Sequence, residues 1–349
     1  MKKTWLKKIT RHGLTDIDRS KYLRLDKNER VIEFEKKFLD HLKKKVNTHL
    51  VSAYPDLLKL KKILAKYLGI SQDTIYLSAG SDISLKTCIE VFTSPGDKVI
   101  ILEPTFGMVN VYCEIYNLKK IKIGYTKNLK LNLKKLLNSI SNKISLVILA
   151  NPNSPTGTII EKKNMLKILK KCKKYKIPIV IDEAYEGFYK FSYINYVKKF
   201  NNLIITRTFS KSFGLAGLRV GYAVANKNFS SLLNKFRPMY EINSIACLAI
   251  EFLIKNEKII KQHIKDVTFA KTFMIKELKK LNIDYINTYA NFFHIKFKKK
   301  ISHIENIFKK NKILVRKGPG VKGYENYLRF SLGSKIQMEK IIHLVKKIK

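Results

Sequence analysis

Lys211 stands in the run TRTFSKSFGLAGLRVGY (Thr206–Tyr222), among small and apolar neighbours. Burial in such a setting lowers an amine's pKa and frees its lone pair to attack an aldehyde. Thr208, Ser210 and Arg219 in the same run add two hydroxyls and a fixed guanidinium fork, donors suited to a phosphate group. An aldehyde and a phosphate together point to pyridoxal 5'-phosphate (PLP), and other segments offer what that cofactor needs. IPIVIDEAYEGF ends a short β-branched run on Asp182, a carboxylate able to keep a pyridine nitrogen protonated. Tyr185 follows within reach of the ring's phenolic oxygen. IYLSAGSD (Ile75–Asp82) turns through Gly80, Ser81 and Asp82 into an expected helix, whose N-terminus presents backbone N–H groups to an anion. Phe106 in EPTFGM can stack on a planar ring. LVILANPNSPTG (Leu146–Gly157) carries Asn153 and Ser154 at the mouth of a proline-braced turn.

Positioning these residues requires strands that deliver them to one edge. Lys98–Leu102, Leu146–Ala150, Ile177–Asp182, Leu203–Arg207 and Gly221–Ala225 read as short apolar strands alternating with amphipathic helical stretches. That alternation predicts an α/β fold with a mostly parallel central sheet covered by helices, and ligands at the carboxyl ends of its strands. Glu251–Lys280 reads as one long helix, and Asn291–Phe297 and Tyr327–Leu332 as strands of a smaller α+β domain. The expected division is an N-terminal segment 1–47 packing with the small domain, a large PLP-binding domain 48–248 and a small C-terminal domain 249–349.

In chain order, LDKNE (Leu25–Glu29), AYPD (Ala53–Asp56), AGSD, EPTFGM, NPNSPTG, DEAY, SKSFGLAGLRVGY, ANFF (Ala290–Phe293) and YLRFSLG (Tyr327–Gly333) resemble the motif series of the fold-type-I, class I/II aminotransferases. Within them the series most resembles the histidinol-phosphate aminotransferase group. The resemblance implies that Lys211 forms the Schiff base and shuttles the proton, that Asp182 meets the pyridine nitrogen and Tyr185 the phenolic oxygen, and that Phe106 stacks on the ring. It assigns Gly80, Ser81, Asp82, Thr208, Ser210 and Arg219 to the phosphate. Tyr54 matches a tyrosine reaching the cofactor phosphate of a neighbouring subunit, which implies a homodimer. Arg329 matches the arginine that pairs with the substrate's acidic group, and Arg316 in ILVRKGPG is a second candidate for a substrate phosphate. The family's asparagine before PTG is Ser154 here, with Asn153 one step earlier, so either residue is a candidate for the ring oxygen. LDKNERV also lacks the proline that commonly follows this motif.

The implied activity is transamination of a small anionic amino compound, phosphorylated or not. The alternative on the same scaffold is decarboxylation of a phosphorylated amino acid, as in the similar threonine-phosphate decarboxylases. A third reading, a basic nucleic-acid-binding protein on a retired enzyme fold, starts from the charge: 70 Lys+Arg against 27 Asp+Glu in 349 residues, formally +43. The lysines are spread along the whole chain between apolar residues, the pattern of solvated faces. They favour a field that attracts anionic substrates over a nucleic-acid surface. No run approaches the ~20 apolar residues of a membrane span, and the basic N-terminus lacks the apolar core of a signal peptide, so the expected location is cytoplasmic. Cys88, Cys113, Cys172 and Cys247 are scattered, with no metal-ligand spacing. The seven histidines form no cluster and read as structural or surface residues.

Overall fold

The computed structural model describes residues 3–9 and 17–348. Among the described residues, thirteen strands, β1 (Leu23–Arg24), β2 (Ile75–Ser78), β3 (Lys98–Glu103), β4 (Lys119–Gly124), β5 (Leu146–Ala150), β6 (Ile179–Asp182), β7 (Leu203–Thr208), β8 (Gly221–Val224), β9 (Tyr285–Ile286), β10 (Phe292–Lys296), β11 (Ile313–Leu314), β12 (Arg316–Lys317) and β13 (Tyr327–Ser331), fall into three sheets. The central one has seven strands in the order β2-β8-β7-β6-β5-β3-β4. Pairs β7–β6, β6–β5, β5–β3 and β3–β4 are parallel, and β8 runs antiparallel to both its neighbours.

Strands such as LVILA and IVID are buried along their whole length because helices cover both faces of the sheet. Alternate side chains feed two cores. Val99, Ile101, Leu146 and Ile148 pack on one face with Leu85 and Val109, and Ile100, Leu102, Val147 and Leu149 on the other with Leu64 and Ile168. In the central sheet the strand absent from the sequence analysis, β4, is the edge strand KKIKIG. Its lysines interrupt the apolar run that marks its neighbours, as befits an exposed edge.

A four-stranded antiparallel sheet, β12-β13-β10-β9, packs Phe293, Ile295, Leu328 and Phe330 against the helices Glu257–Lys280 and Lys335–Ile348. The expected helix over Glu251–Lys280 is two helices, Ser244–Lys255 and Glu257–Lys280, broken at Asn256. The Asn256 side chain donates to the Phe252 carbonyl at 2.8 Å and competes with the helical ladder there.

The N-terminal segment divides between the two bodies. β1 pairs in parallel with β11, and Leu25 is buried in the smaller core. Phe38, in contrast, enters the larger core and packs on Phe252 at 5.6 Å. Residues 1–2 and 10–16 of the segment 1–47 lie outside the described residues. Among the described residues no helix is long and apolar enough to cross a membrane.

Candidate active site

β3, β5, β6 and β7 end together along one edge of the central sheet, and the chemistry-bearing residues lie on or just beyond those ends. Asp182 closes β6, buried, and its Oδ1 accepts from Thr206 Oγ1 of β7 at 2.9 Å. Burial pushes its pKa up to about 7, against the Thr206 bond that lowers it. The next residue, Glu183, has a structural task. It takes a two-pronged bond from Arg207, Nε at 3.0 Å and Nη2 at 2.9 Å, and pins the loop after β6 through Tyr193 N. Adjacent carboxylates are thus split between a tied ion pair and an acid that has no cationic ion-pair partner among the described residues.

Lys211 lies three residues past β7. Its Nζ donates to the Lys27 carbonyl at 2.9 Å and sits 5.9 Å from the centroid of the Tyr185 ring. Burial and the nearby Arg329 charge hold its pKa down to about 8. Tyr185 is buried, with Phe292 packed edge-on at 5.5 Å. Its hydroxyl accepts from Asn28 Nδ2 at 2.8 Å and is hydrogen-bonded to the Ser154 side chain.

An anion cradle is built beside this group. Gly80, at φ +101°, precedes the helix Ser81–Phe92. Arg219 reaches over with Nη2 to Asp82 Oδ1 at 3.1 Å and Nη1 to Ser210 Oγ at 3.4 Å, and Thr208 Oγ1 meets Ser210 Oγ at 3.0 Å. A Cβ at Gly80 would fall 2.5 Å from Asp82 Oδ1 and 2.6 Å from Arg219 Nη2, so any other residue pushes these two side chains aside and strains the backbone at φ +101°. Arg219 itself is held at φ +54°, a strained backbone for a long side chain that aims the guanidinium back at the helix N-terminus. Two hydroxyls, a guanidinium and free helix N–H groups form a donor set for a dianion.

Asn153 and Ser154 are separated by the fold. The Asn153 carboxamide is buried and fully engaged, accepting from Thr105 Oγ1 at 3.0 Å and donating to the Pro104 carbonyl and Thr156 Oγ1, both at 2.9 Å. It braces the turn that carries Phe106, and Ser154 is the one beside Tyr185. Phe106 itself is 37 % exposed just beyond the end of β3.

Arg329, in β13, is buried, and its Nη2 donates to the Asp26 carbonyl at 2.8 Å. Arg316 faces it across the strand pair β12–β13 and is exposed. Tyr54 lies apart, 77 % exposed, its ring stacked on Tyr240 at 4.1 Å.

Sequence reading gave no role to Asn28. It is buried at φ +54°, tied through its N–H to Ser331 Oγ at 2.9 Å, and its carbonyl accepts from Asn291 Nδ2 at 3.1 Å. Asparagine tolerates that left-handed backbone, which was the available signal inside LDKNE. Among the described residues no group of three or more His, Cys, Asp or Glu side chains is arranged to hold a metal ion.

A family model describing aminotransferases of class I and II matches residues 14–348. The histidinol-phosphate aminotransferase of Thermoanaerobacter pseudethanolicus is 33 % identical over 315 residues, covering 89 % of this chain and 88 % of the relative. That of Clostridium novyi is 30 % identical over 333 residues, covering 93 % and 91 %. In fold, the chain is similar to the Sinorhizobium meliloti histidinol-phosphate aminotransferase solved with pyridoxal 5'-phosphate, with a TM-score of 0.87 at 20 % identity over 99 % of this chain and 98 % of that one.

Proposed function

The chain belongs to the class I and II aminotransferases, PLP-dependent transaminases of fold type I, and from that premise we propose that it is a histidinol-phosphate aminotransferase acting as a cytoplasmic homodimer. The observation that carries the reading is one constellation: a low-pKa lysine, a buried acid and a phosphate-shaped cradle along one sheet edge, with a buried arginine facing the same lysine. The residues fit the cofactor, since the Gly80–Arg219 concavity has the donors for its phosphate, and Asp182 has the burial and raised pKa suited to a pyridinium partner.

Bound there, PLP supplies an aldehyde for the lysine and an electron-withdrawing ring. Gly80, Ser81, Asp82, Thr208, Ser210 and Arg219 would hold the phosphate, and Phe106 would cover the ring. Tyr185 and Ser154 would meet the phenolic oxygen. Asp182 would pair, ionised, with the protonated ring nitrogen. Lys211 Nζ, neutral above about pH 8, would be the base that takes the proton from the substrate's alpha carbon. Arg329 and Arg316, side by side across two strands, pair with the acidic groups of donor and acceptor. Like charges set directly opposite repel, so an anion between them relieves a strain built into the sheet.

Tyr54 supports the dimer. Exposed with Tyr240, Val51 and Met239 around the helix that begins at Leu57, it offers an aromatic hydroxyl to a second copy. Four free cysteines, three of them buried, suit a reducing compartment.

The test is the absorbance of the PLP-loaded enzyme after L-glutamate, then after imidazole-acetol phosphate. Conversion to the pyridoxamine form by the first and return by the second is the expected result. Carbon dioxide release from a phosphorylated amino acid, with no response to glutamate, would replace this reading with the decarboxylase.

A further inference from the structure

His294 lies in β10 directly across from Arg329 in β13, which in turn faces Arg316 in β12. Cross-strand partners share a sheet face, so the three side chains form one row, with the histidine at its buried end. The His294 Nε2 is 3.0 Å from the Pro155 carbonyl oxygen. A carbonyl only accepts, so Nε2 carries the proton and Nδ1 is left with a lone pair. Burial, reinforced by the Arg329 charge, holds the imidazole pKa down to about 3, so the ring is neutral at working pH.

Among the described residues that Nδ1 has no hydrogen-bond partner, and neither has Nε of Arg329. A buried acceptor and a buried donor left unpaired are each costly, and here the two are complementary and on neighbouring positions of one sheet face. Arg329 currently spends Nη2 on the Asp26 carbonyl, and the flat ring of Phe292 lies 5.3 Å from the guanidinium carbon. A guanidinium that leaves Asp26 frees both Nη2 protons for a carboxylate, with Nε–H still available to a neighbouring acceptor.

We propose that His294 is a positioning residue for Arg329: its Nδ1 accepts a hydrogen bond from Arg329 Nε–H when the guanidinium leaves the Asp26 carbonyl for the substrate's acidic group. The inference rests on the reading of Arg329 as the substrate arginine. The same imidazole reaches Pro155, next to Ser154 and the Tyr185 hydroxyl, so it is a strut between the acidic-group site and the turn at the cofactor ring. A histidine is suited to this because one ring offers a donor and an acceptor on opposite sides.

The experiment compares wild type with His294→Leu and His294→Gln in the PLP-loaded enzyme. Each is qualified by circular dichroism and retained PLP absorbance, and His294→Met stands in should leucine prevent folding. The readouts are calorimetric affinity for maleate, an unreactive dicarboxylate, and the KM and kcat of the L-glutamate half-reaction. Loss of one hydrogen bond to a charged group predicts roughly tenfold weaker maleate binding and a similar rise in KM for the leucine variant, with kcat within about threefold. Glutamine supplies both a donor for Pro155 and an acceptor for Arg329, and is expected to recover most of the affinity. Unchanged maleate affinity and KM in the leucine variant would overturn the proposal, as would equal impairment by leucine and glutamine. A wild type that binds neither maleate nor glutamate would instead defeat the reading of Arg329 itself.

Discussion

Lys211→Ala is expected to lower turnover by at least about 10^4-fold, since it removes both the nucleophile and the proton carrier in one change. Neither role has an obvious substitute. Lys271, the other amine that burial brings to about pH 8, is committed to the Thr288 and Ala290 carbonyls at 2.8 and 2.6 Å. The variant should still bind PLP through the Gly80–Arg219 cradle, but borohydride should no longer fix it to the protein. In the unmodified enzyme the rate of covalent capture should rise with pH through about 8, because the neutral amine is the reactive form and burial has moved its pKa there from 10.5. A capture rate that climbs only above pH 10 would show an ordinary solvated lysine. Substantial turnover in the alanine variant would place the chemistry on another residue.

Asp182→Asn should cost about 10^2–10^3-fold in kcat, the scale of removing one preorganised electrostatic partner, with covalent capture by Lys211 intact. Stability of the PLP-free protein should move the other way. The folded-state pKa of Asp182 is raised to about 7 from 3.8, chiefly by burial. Its protonated form is therefore the one that favours folding, and that contribution is lost as pH rises toward 7. Asparagine carries no such titration. Above pH 7 the PLP-free variant is expected to match or exceed wild type in melting temperature, and the gap should close below pH 4. Normal turnover in the variant would assign the pyridine nitrogen to a different partner.

Much of this site could be read from the sequence because its main parts sit at strand ends. A run such as IPIVID announces both the strand and, by stopping, the position of the acid. Lys211, Asp182, Tyr185 and the Gly80 turn all have that form. What could not be read depends on side-chain choices between neighbours. Asn153 and Ser154 are adjacent and both polar, and only the buried bonds of Asn153 to Thr105, Pro104 and Thr156 decide which one faces Tyr185. Asn28 acquires its role by folding back some 157 residues along the chain onto Tyr185. His294 looked structural because one histidine in an apolar strand usually is. Its meaning comes from the register that sets it against Arg329. The break at Asn256 was hidden because the apolar pattern continues on both sides of the residue, whose backbone leaves the helical region at φ −119°, ψ 50°.

The pairing of β1 with β11, and of Asn28 with Ser331 and Asn291, bears on how the enzyme comes into being on the ribosome. Residues 23–28 are made long before β11, Asn291 and Ser331, the positions that receive them. Until β11 is made this segment lacks its strand partner, while the central sheet from β2 to β8 already has every strand it needs. The Asp26 carbonyl therefore meets Arg329 only once β13 has been made. The proposed phosphate cradle thus has all its residues before Arg329 exists.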